Sequence, residues 1–168
     1  MAADRTDLGE VDEIDVEAIG EPGHRTFRLL LASGPTTACL LHEKDQLEQL
    51  AVIIEQQVAR ATRGVPTGGH PTLDLAARFP EAPTIEFKVG RMAVGFDEEL
   101  RTFTFTSDGI DAEPTSLSFA VKQIQAEALS LKIAVVAAAG RPRCPLCGAP
   151  LDEGASHVCP ASNGHVLS

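Results

Sequence analysis

Residues 36–62 read TTACLLHEKDQLEQLAVIIEQQVARAT, and their periodicity changes part-way along. Thr36 to His42 are mostly β-branched and small apolar residues, which is typical of a strand. From Lys44 the apolar residues recur every three or four positions, which predicts an amphipathic helix. Acidic residues in its first turn suit the positive end of the helix dipole. The predicted buried stripe consists of Leu47, Leu50, Ala51, Ile54, Val58 and Ala61.

Two further strands are predicted before this segment, and three after it. Apolar residues alternate with acids over 14–18, and Arg25 to Ala32 forms a second apolar run. Alternation resumes over 85–96, where a phase slip at Gly90-Arg91 predicts a β-bulge. Strands around Phe103 and Leu117 follow. A second helix comes next, with a predicted buried stripe of Val121, Ile124, Ala128, Leu131 and Val135, and it ends at Gly140.

Three strands followed by a helix therefore occur twice, in residues 11–62 and 84–139. We predict an α+β fold in which two βββα units form one antiparallel-sheet body with two packed helices. The connection over 63–83 is rich in Gly and Pro, with one helical turn around Leu73 to Arg78. Residues 1–10 are predicted to be an acidic flexible tail, 11–140 the body, and 141–168 a metal-binding tail.

The C-terminal tail carries closely spaced cysteine and histidine residues typical of a zinc knuckle. Cys144 and Cys147 are separated by two residues, a spacing that lets both thiolates bind one ion. His157 and Cys159 would complete a tetrahedral set, with His165 as the alternative fourth ligand. Since this short stretch is poor in large apolar residues, Zn²⁺ would supply its folding energy. We predict a structural zinc knuckle, closed by four protein ligands.

A redox role for Cys144 and Cys147 is the alternative interpretation. A redox pair should follow a strand and open a helix, whereas this pair follows a helix and an Arg-Pro-Arg linker. Cys39 lies in an apolar run and is predicted to be a small core residue.

The sequence carries no recognisable catalytic motif, so no catalytic residue is assigned. Arg25 and Arg28, beside the turn at residues 20–23, are the best candidates for holding a phosphate or a carboxylate. The simpler interpretation is that these two arginines pair with acids on an exposed strand face. A small-ligand binding protein or an enzyme that uses the Arg25 region is therefore the alternative to a non-catalytic protein.

Composition narrows the choice of partner. The formal net charge of −10 opposes binding to phosphate backbones, and the tail has no aromatic residue to stack on a base. Nucleic-acid binding through the zinc tail is therefore the weaker alternative.

No segment is apolar enough to span a membrane, no signal peptide is recognisable, and cysteines used as metal ligands fit a reducing compartment. We predict a cytoplasmic, non-catalytic zinc-binding adaptor that contacts a protein partner and does not bind membranes.

Several stretches together also resemble a known family. They are Gly20 to Phe27, Glu86 to Gly90, and the tail Gly140 to Asp152 with His157 to Pro160 and Asn163-Gly164. In combination they are similar to the uncharacterised actinobacterial family DUF3090. The resemblance covers nearly the whole chain, and it implies no activity because the family has none established.

Overall fold

A computed structural model of the chain describes residues 5–21, 23–62, 69–111, 115–139, 144–147, 157–160 and 166–167. Its first half contains β1 (Arg5–Glu10), β2 (Glu13–Ile19), β3 (Thr26–Ser33), β4 (Thr36–His42) and α1 (Lys44–Thr62). A 3₁₀ helix, Leu75–Arg78, precedes β5 (Ile85–Asp97), β6 (Thr102–Gly109), β7 (Ser116–Lys122) and α2 (Gln123–Ala138). The C-terminal elements are β8 (His157–Val158) and β9 (Val166–Leu167). Within the described residues, neither α-helix is long and apolar enough to cross a bilayer.

Seven strands form one mixed sheet in the order β1-β7-β6-β5-β4-β3-β2. The α+β class is thus confirmed, but the prediction of an antiparallel sheet was wrong in two places. The β4–β5 pair is parallel because α1 carries the chain back to the starting end of β4 before β5 begins. The β1–β7 pair is also parallel. The predicted bulge in β5 is present, as a register shift between Val89 and Arg91.

Residues 5–10, which the sequence analysis assigned to a flexible tail, form β1 instead. The strand pairs with β7, and Leu8 packs against the core. Only Val11 and Asp12 separate β1 from β2, although these two strands are at opposite edges of the sheet. The sheet must therefore curve until its edges are adjacent. Two backbone hydrogen bonds of this link confirm the curvature of the sheet. The Val11 N–H donates to the Ala120 carbonyl on β7, and the Asp12 N–H donates to the Ala32 carbonyl on β3.

The main core lies between the curved sheet and the two helices. The stripe predicted for α1 is confirmed at Leu47, Leu50, Ala51 and Ile54, which are buried, whereas Val58 and Ala61 are only partly buried. The stripe predicted for α2 was wrong at three of its five residues, because Ile124, Leu131 and Val135 are exposed. Ala128 is buried as predicted, and so is Val121, which belongs to β7. The buried apolar residues of the helix are Ala126, Ala128, Leu129, Ile133 and Ala137. The sequence of α2 has apolar residues on several sides of the helix, so periodicity alone could not identify the side that is buried.

A small satellite core covers the opposite face of the sheet. It consists of Leu30, Cys39 and Leu75, with Phe79 and Leu41 packed against it. The 3₁₀ helix that supplies Leu75 is held in place by Asp15 of β2, a fully buried carboxylate. Asp15 Oδ2 accepts a hydrogen bond from the Ala76 amide at 2.7 Å, and Lys132 of α2 donates to Asp15 Oδ1 at 2.5 Å. One carboxylate therefore joins β2, the 3₁₀ helix and α2.

His42, the last residue of β4, is buried at the end of the main core. It pairs with Phe27 of β3, and its exposed fraction is 4%. Burial lowers the pKa of His42 from 6.5 to about 4, and the neighbouring Gln46 amide opposes this shift only weakly. The imidazole is therefore neutral at pH 7.

This buried imidazole predicts a loss of stability in mild acid. Unfolded chains take up a proton at His42 below pH 6.5, whereas the folded protein resists until about pH 4. The stabilising contribution is complete above pH 6.5, and about 3 kcal/mol of unfolding free energy is lost as the pH falls through this window. Urea unfolding between pH 7 and pH 4 measures the loss, with His42→Leu as the comparison.

Other charged groups near His42 are Arg91, which lines the same cavity, and the Glu43–Lys88 ion pair at 2.7 Å. They remain in His42→Leu, so the difference between the two profiles isolates the imidazole. The exposed His24 supplies the matched control, and His24→Leu should keep the wild-type pH profile. A His42→Leu profile parallel to that of the wild type would contradict the assignment.

Candidate metal centre

The first half of the centre is the turn that runs from Cys144 to Cys147. Residues 145–147 form a turn directly after Cys144. Backbone N–H groups of Cys147 and Leu146 donate to the Cys144 sulfur. Together with the neighbouring thiols Cys159 and Cys147, they lower the pKa of Cys144 to about 6. This turn therefore favours a thiolate, which is the form of cysteine that binds a metal.

The second half is the short β8 strand and the residue that follows it. His157 and Val158 of β8 pair with Leu167 and Val166 of β9 in a separate two-stranded sheet. Cys159 comes directly after β8 and is fully buried. Residues two apart along an extended strand point to the same side, so His157 and Cys159 face the same space.

The structure brings Cys144, Cys147, His157 and Cys159 together. Their ligand atoms all lie within 4.8 Å of one another. The Cys144 and Cys159 sulfurs are 3.6 Å apart, and Cys147 Sγ is 3.4 Å from His157 Nε2. A tetrahedral zinc ion with ordinary bond lengths needs about 3.8 Å between two sulfurs and about 3.6 Å between sulfur and nitrogen. These spacings fit one tetrahedral ion held by three thiolates and one imidazole.

The alternative fourth ligand, His165, lies outside the described residues. All four cysteines of the chain are described, and none forms a disulfide. Cys39 is in the satellite core, where burial raises the pKa of its thiol despite the hydrogen bond that it accepts from Arg28 Nε at 3.2 Å. Cys39 packs as a small core residue and is not part of the Cys/His cluster.

Arg25 and Arg28, the predicted anion-binding residues, contact protein groups. Arg28 forms an ion pair with Glu17 at 2.9 Å and lies over the Phe79 ring. Arg25 Nη1 donates to the Val136 carbonyl at 3.4 Å, near the C-terminal end of α2. The paired-acid interpretation of Arg28 describes its contacts, and a ligand-binding role for either arginine stays a prediction.

A polar network on α2 was missed by the sequence analysis. The buried Glu127 accepts from Gln123 Nε2 at 3.1 Å, and its other oxygen is 3.1 Å from His70 Nε2. Arg101, which has a positive φ of 54°, donates from Nη1 to the Gln123 side-chain oxygen Oε1 at 3.3 Å. The signal in the sequence was the position of Glu127 among the apolar residues Ala126, Ala128 and Leu129. An acid on an exposed helix face would not need apolar neighbours.

A family model described as "Protein of unknown function (DUF3090)" matches residues 7–159, which include all four residues of the Cys/His cluster. The chain belongs to this family. No curated protein and no solved structure is significantly similar to it. Membership in DUF3090 confirms the resemblance, and it assigns no activity. The function must therefore be argued from the chemistry of the site.

Proposed function

We propose that this DUF3090 member is a non-catalytic zinc-binding interaction protein whose C-terminal tail is a structural Zn²⁺ unit. The donor set carries this proposal. Three thiolates and one imidazole are soft and borderline ligands that suit Zn²⁺ and suit Mg²⁺ or Ca²⁺ poorly. Four protein ligands leave no position for water or substrate, which is typical of structural rather than catalytic zinc.

Burial of the ligands supports the same conclusion. Cys144 and Cys159 are buried, although the described part of the tail contributes no residue to either hydrophobic cluster of the body. A unit this small cannot be held by apolar burial, so the metal supplies its folding free energy. His157 and the three cysteines would hold the ion. Bound Zn²⁺ would cross-link the turn that contains Cys144 and Cys147 to the strand end that contains His157 and Cys159.

Two exposed apolar side chains beside the ligands suggest what the folded tail presents. Leu146 lies between the first two cysteines and is 55% exposed, and Val158 lies between His157 and Cys159 and is 63% exposed. Both are held at fixed positions by the ligands on either side of them. We propose that they form the contact surface for a protein partner, since rigid exposed apolar groups are suited to binding.

The test compares partner capture and zinc content in one purification without a metal-affinity tag. The double variant Leu146→Asp, Val158→Asp should retain one equivalent of zinc, because neither residue is a ligand, and should lose the partner. The matched control is Leu100→Asp, which changes a leucine in the β5–β6 turn of the body that is more exposed than either tail residue. Capture that survives in the double variant, or that is lost equally in the control, would contradict a contact surface on the tail.

A further inference from the structure

A cavity of about 290 Å³ lies where β5 leaves its partner β4. The β4–β5 pairing ends at Lys88, while β5 continues to Asp97 alongside β6. The bulge between Val89 and Arg91 falls at this point, and bulges are common beside binding sites because they turn a strand away from its neighbour. The first turns of α1 form the opposite wall of the cavity.

Gly90 shows that the bulge is fixed in place. A Cβ atom built on Gly90 would lie 2.8 Å from Ile110 Cγ2 and 3.4 Å from the Ile110 Cα. The bulge therefore packs closely on its far side, and a side chain at this position would push β5 toward the cavity. The space between α1 and β5 is a consequence of this backbone geometry.

His42 lines this cavity with an almost fully buried side chain, and neither ring nitrogen makes a hydrogen bond to any described residue. The Gln46 side chain is close enough to oppose the lowering of the His42 pKa, but its oxygen accepts from the Glu43 N–H at 2.9 Å and its nitrogen donates to the Val89 carbonyl at 3.1 Å. A buried donor and acceptor left unpaired cost about 1–3 kcal/mol each, so this imidazole calls for a partner in the cavity.

The remaining walls come from α1 and β5. Leu50, Ile53, Met92 and Val94 are apolar, and the glutamines at positions 46 and 49 add uncharged polar groups. Arg91 is the charged residue among the described lining residues, but its side chain is 83% exposed. Its guanidinium forms an ion pair with the Asp108 carboxylate at 3.1 Å. An ionic group on a ligand would therefore lose its hydration here without gaining a buried counter-charge.

We propose that this cavity binds an uncharged, largely apolar small molecule whose hydroxyl or amide group pairs with the His42 imidazole. The neutral imidazole offers one donor and one acceptor on different edges of the ring, and a hydroxyl or an amide can pair with the nitrogen that it reaches from the cavity. The cavity has roughly twice the volume of one that holds benzene, so a ligand of about a dozen non-hydrogen atoms fits. The described residues of the C-terminal tail do not line the cavity.

The test uses three probes of one shape on the full-length, metal-loaded protein. Cyclohexanol, cyclohexylammonium and cyclohexanecarboxylate are titrated while the ring ¹⁵N resonances of the five histidines are recorded. We expect a saturable shift of the His42 nitrogens with cyclohexanol, and about tenfold weaker binding or none with the two ions. His42→Leu removes these resonances and so assigns them; followed instead by the backbone amides that line the cavity, it should weaken cyclohexanol binding about tenfold, as the loss of one hydrogen bond predicts.

Two further variants separate the site from general effects of the alcohol. Ile53→Trp narrows the cavity from a half-exposed position and should abolish the shift while His42 is intact. His24→Leu changes an exposed histidine and should bind cyclohexanol like the wild type.

Several results would overturn the proposal. If no probe gives a saturable shift at His42, the imidazole is satisfied by water and the cavity is not a ligand site. Equal shifts at all histidines would show a solvent effect. Tighter binding of cyclohexanecarboxylate than of cyclohexanol would show that the ligand class is wrong.

Discussion

Replacing Cys159 by serine should abolish stable metal binding and unpair β8 from β9. Cys159 is fully buried, and its sulfur is 3.6 Å from that of Cys144, so a serine hydroxyl would leave the ion one thiolate short in a closed space. Loss of a residue that only orients a ligand costs about 10–100-fold in metal affinity, and loss of a ligand itself should cost at least about 100-fold. Because we propose that the metal supplies the folding free energy of the tail, the pairing of His157 with Leu167 should disappear with the metal.

The measurement is a competition titration with a chromophoric chelator, followed by amide exchange of β8 and the body strands. Cys39→Ser is the matched control, since it makes the same chemical change in the satellite core and should retain the metal. The body strands should exchange as in the wild type in Cys159→Ser, because both hydrophobic clusters are built without described tail residues. Unchanged metal affinity in Cys159→Ser would contradict the assigned ligand set.

Asp15→Ala should produce a large loss of stability in the body, about 3 kcal/mol of unfolding free energy. The variant leaves the Lys132 ammonium and the Ala76 N–H without their buried acceptor. Breaking a buried ion pair by removing one partner typically costs about 3–5 kcal/mol. The lower end applies here because the Lys132 side chain is 31% exposed and keeps its hydrogen bond to the Leu73 carbonyl at 2.9 Å.

Urea denaturation of Asp15→Ala measures this loss. The control is Glu13→Ala, which removes a partner of Arg78 at the same 3₁₀ helix. Both side chains of the Glu13–Arg78 ion pair are exposed, so its loss should lower the free energy of unfolding by less than about 1 kcal/mol. If Asp15→Ala costs no more than Glu13→Ala, Asp15 does not hold the 3₁₀ helix in the way that its contacts indicate.

Features set by local chemistry could be predicted from the sequence. The stripe of α1 has polar residues on its other side, so its period identified the buried face. The bulge at Gly90-Arg91 interrupts an otherwise strict alternation, and a slip in period two has one simple structural cause. The ligands Cys144, Cys147, His157 and Cys159 lie within 16 residues of one another, so spacing alone brought them together.

Features set by tertiary packing could not be predicted. The face that α2 buries depends on how β7 leads directly into it, since its own sequence is apolar on several sides. The pairing of β1 with β7 joins residues more than a hundred positions apart, and an acidic strand at an edge looks like a solvated tail in sequence. Asp15 alternates with core residues as an exposed acid would, and the groups that compensate its burial include Lys132 and the Ala76 amide, both distant in sequence.

The visible absorption spectrum of the protein reconstituted with Co²⁺ tests the central claim most directly, because it reports the ligands, geometry and accessibility of the centre together. A closed site with three thiolates and one imidazole predicts one equivalent of bound Co²⁺, intense d–d bands of a tetrahedral ion, strong thiolate charge transfer, and no change on addition of azide. Weak octahedral bands, the absence of thiolate charge transfer, or a spectrum that shifts with azide would contradict a closed structural metal centre.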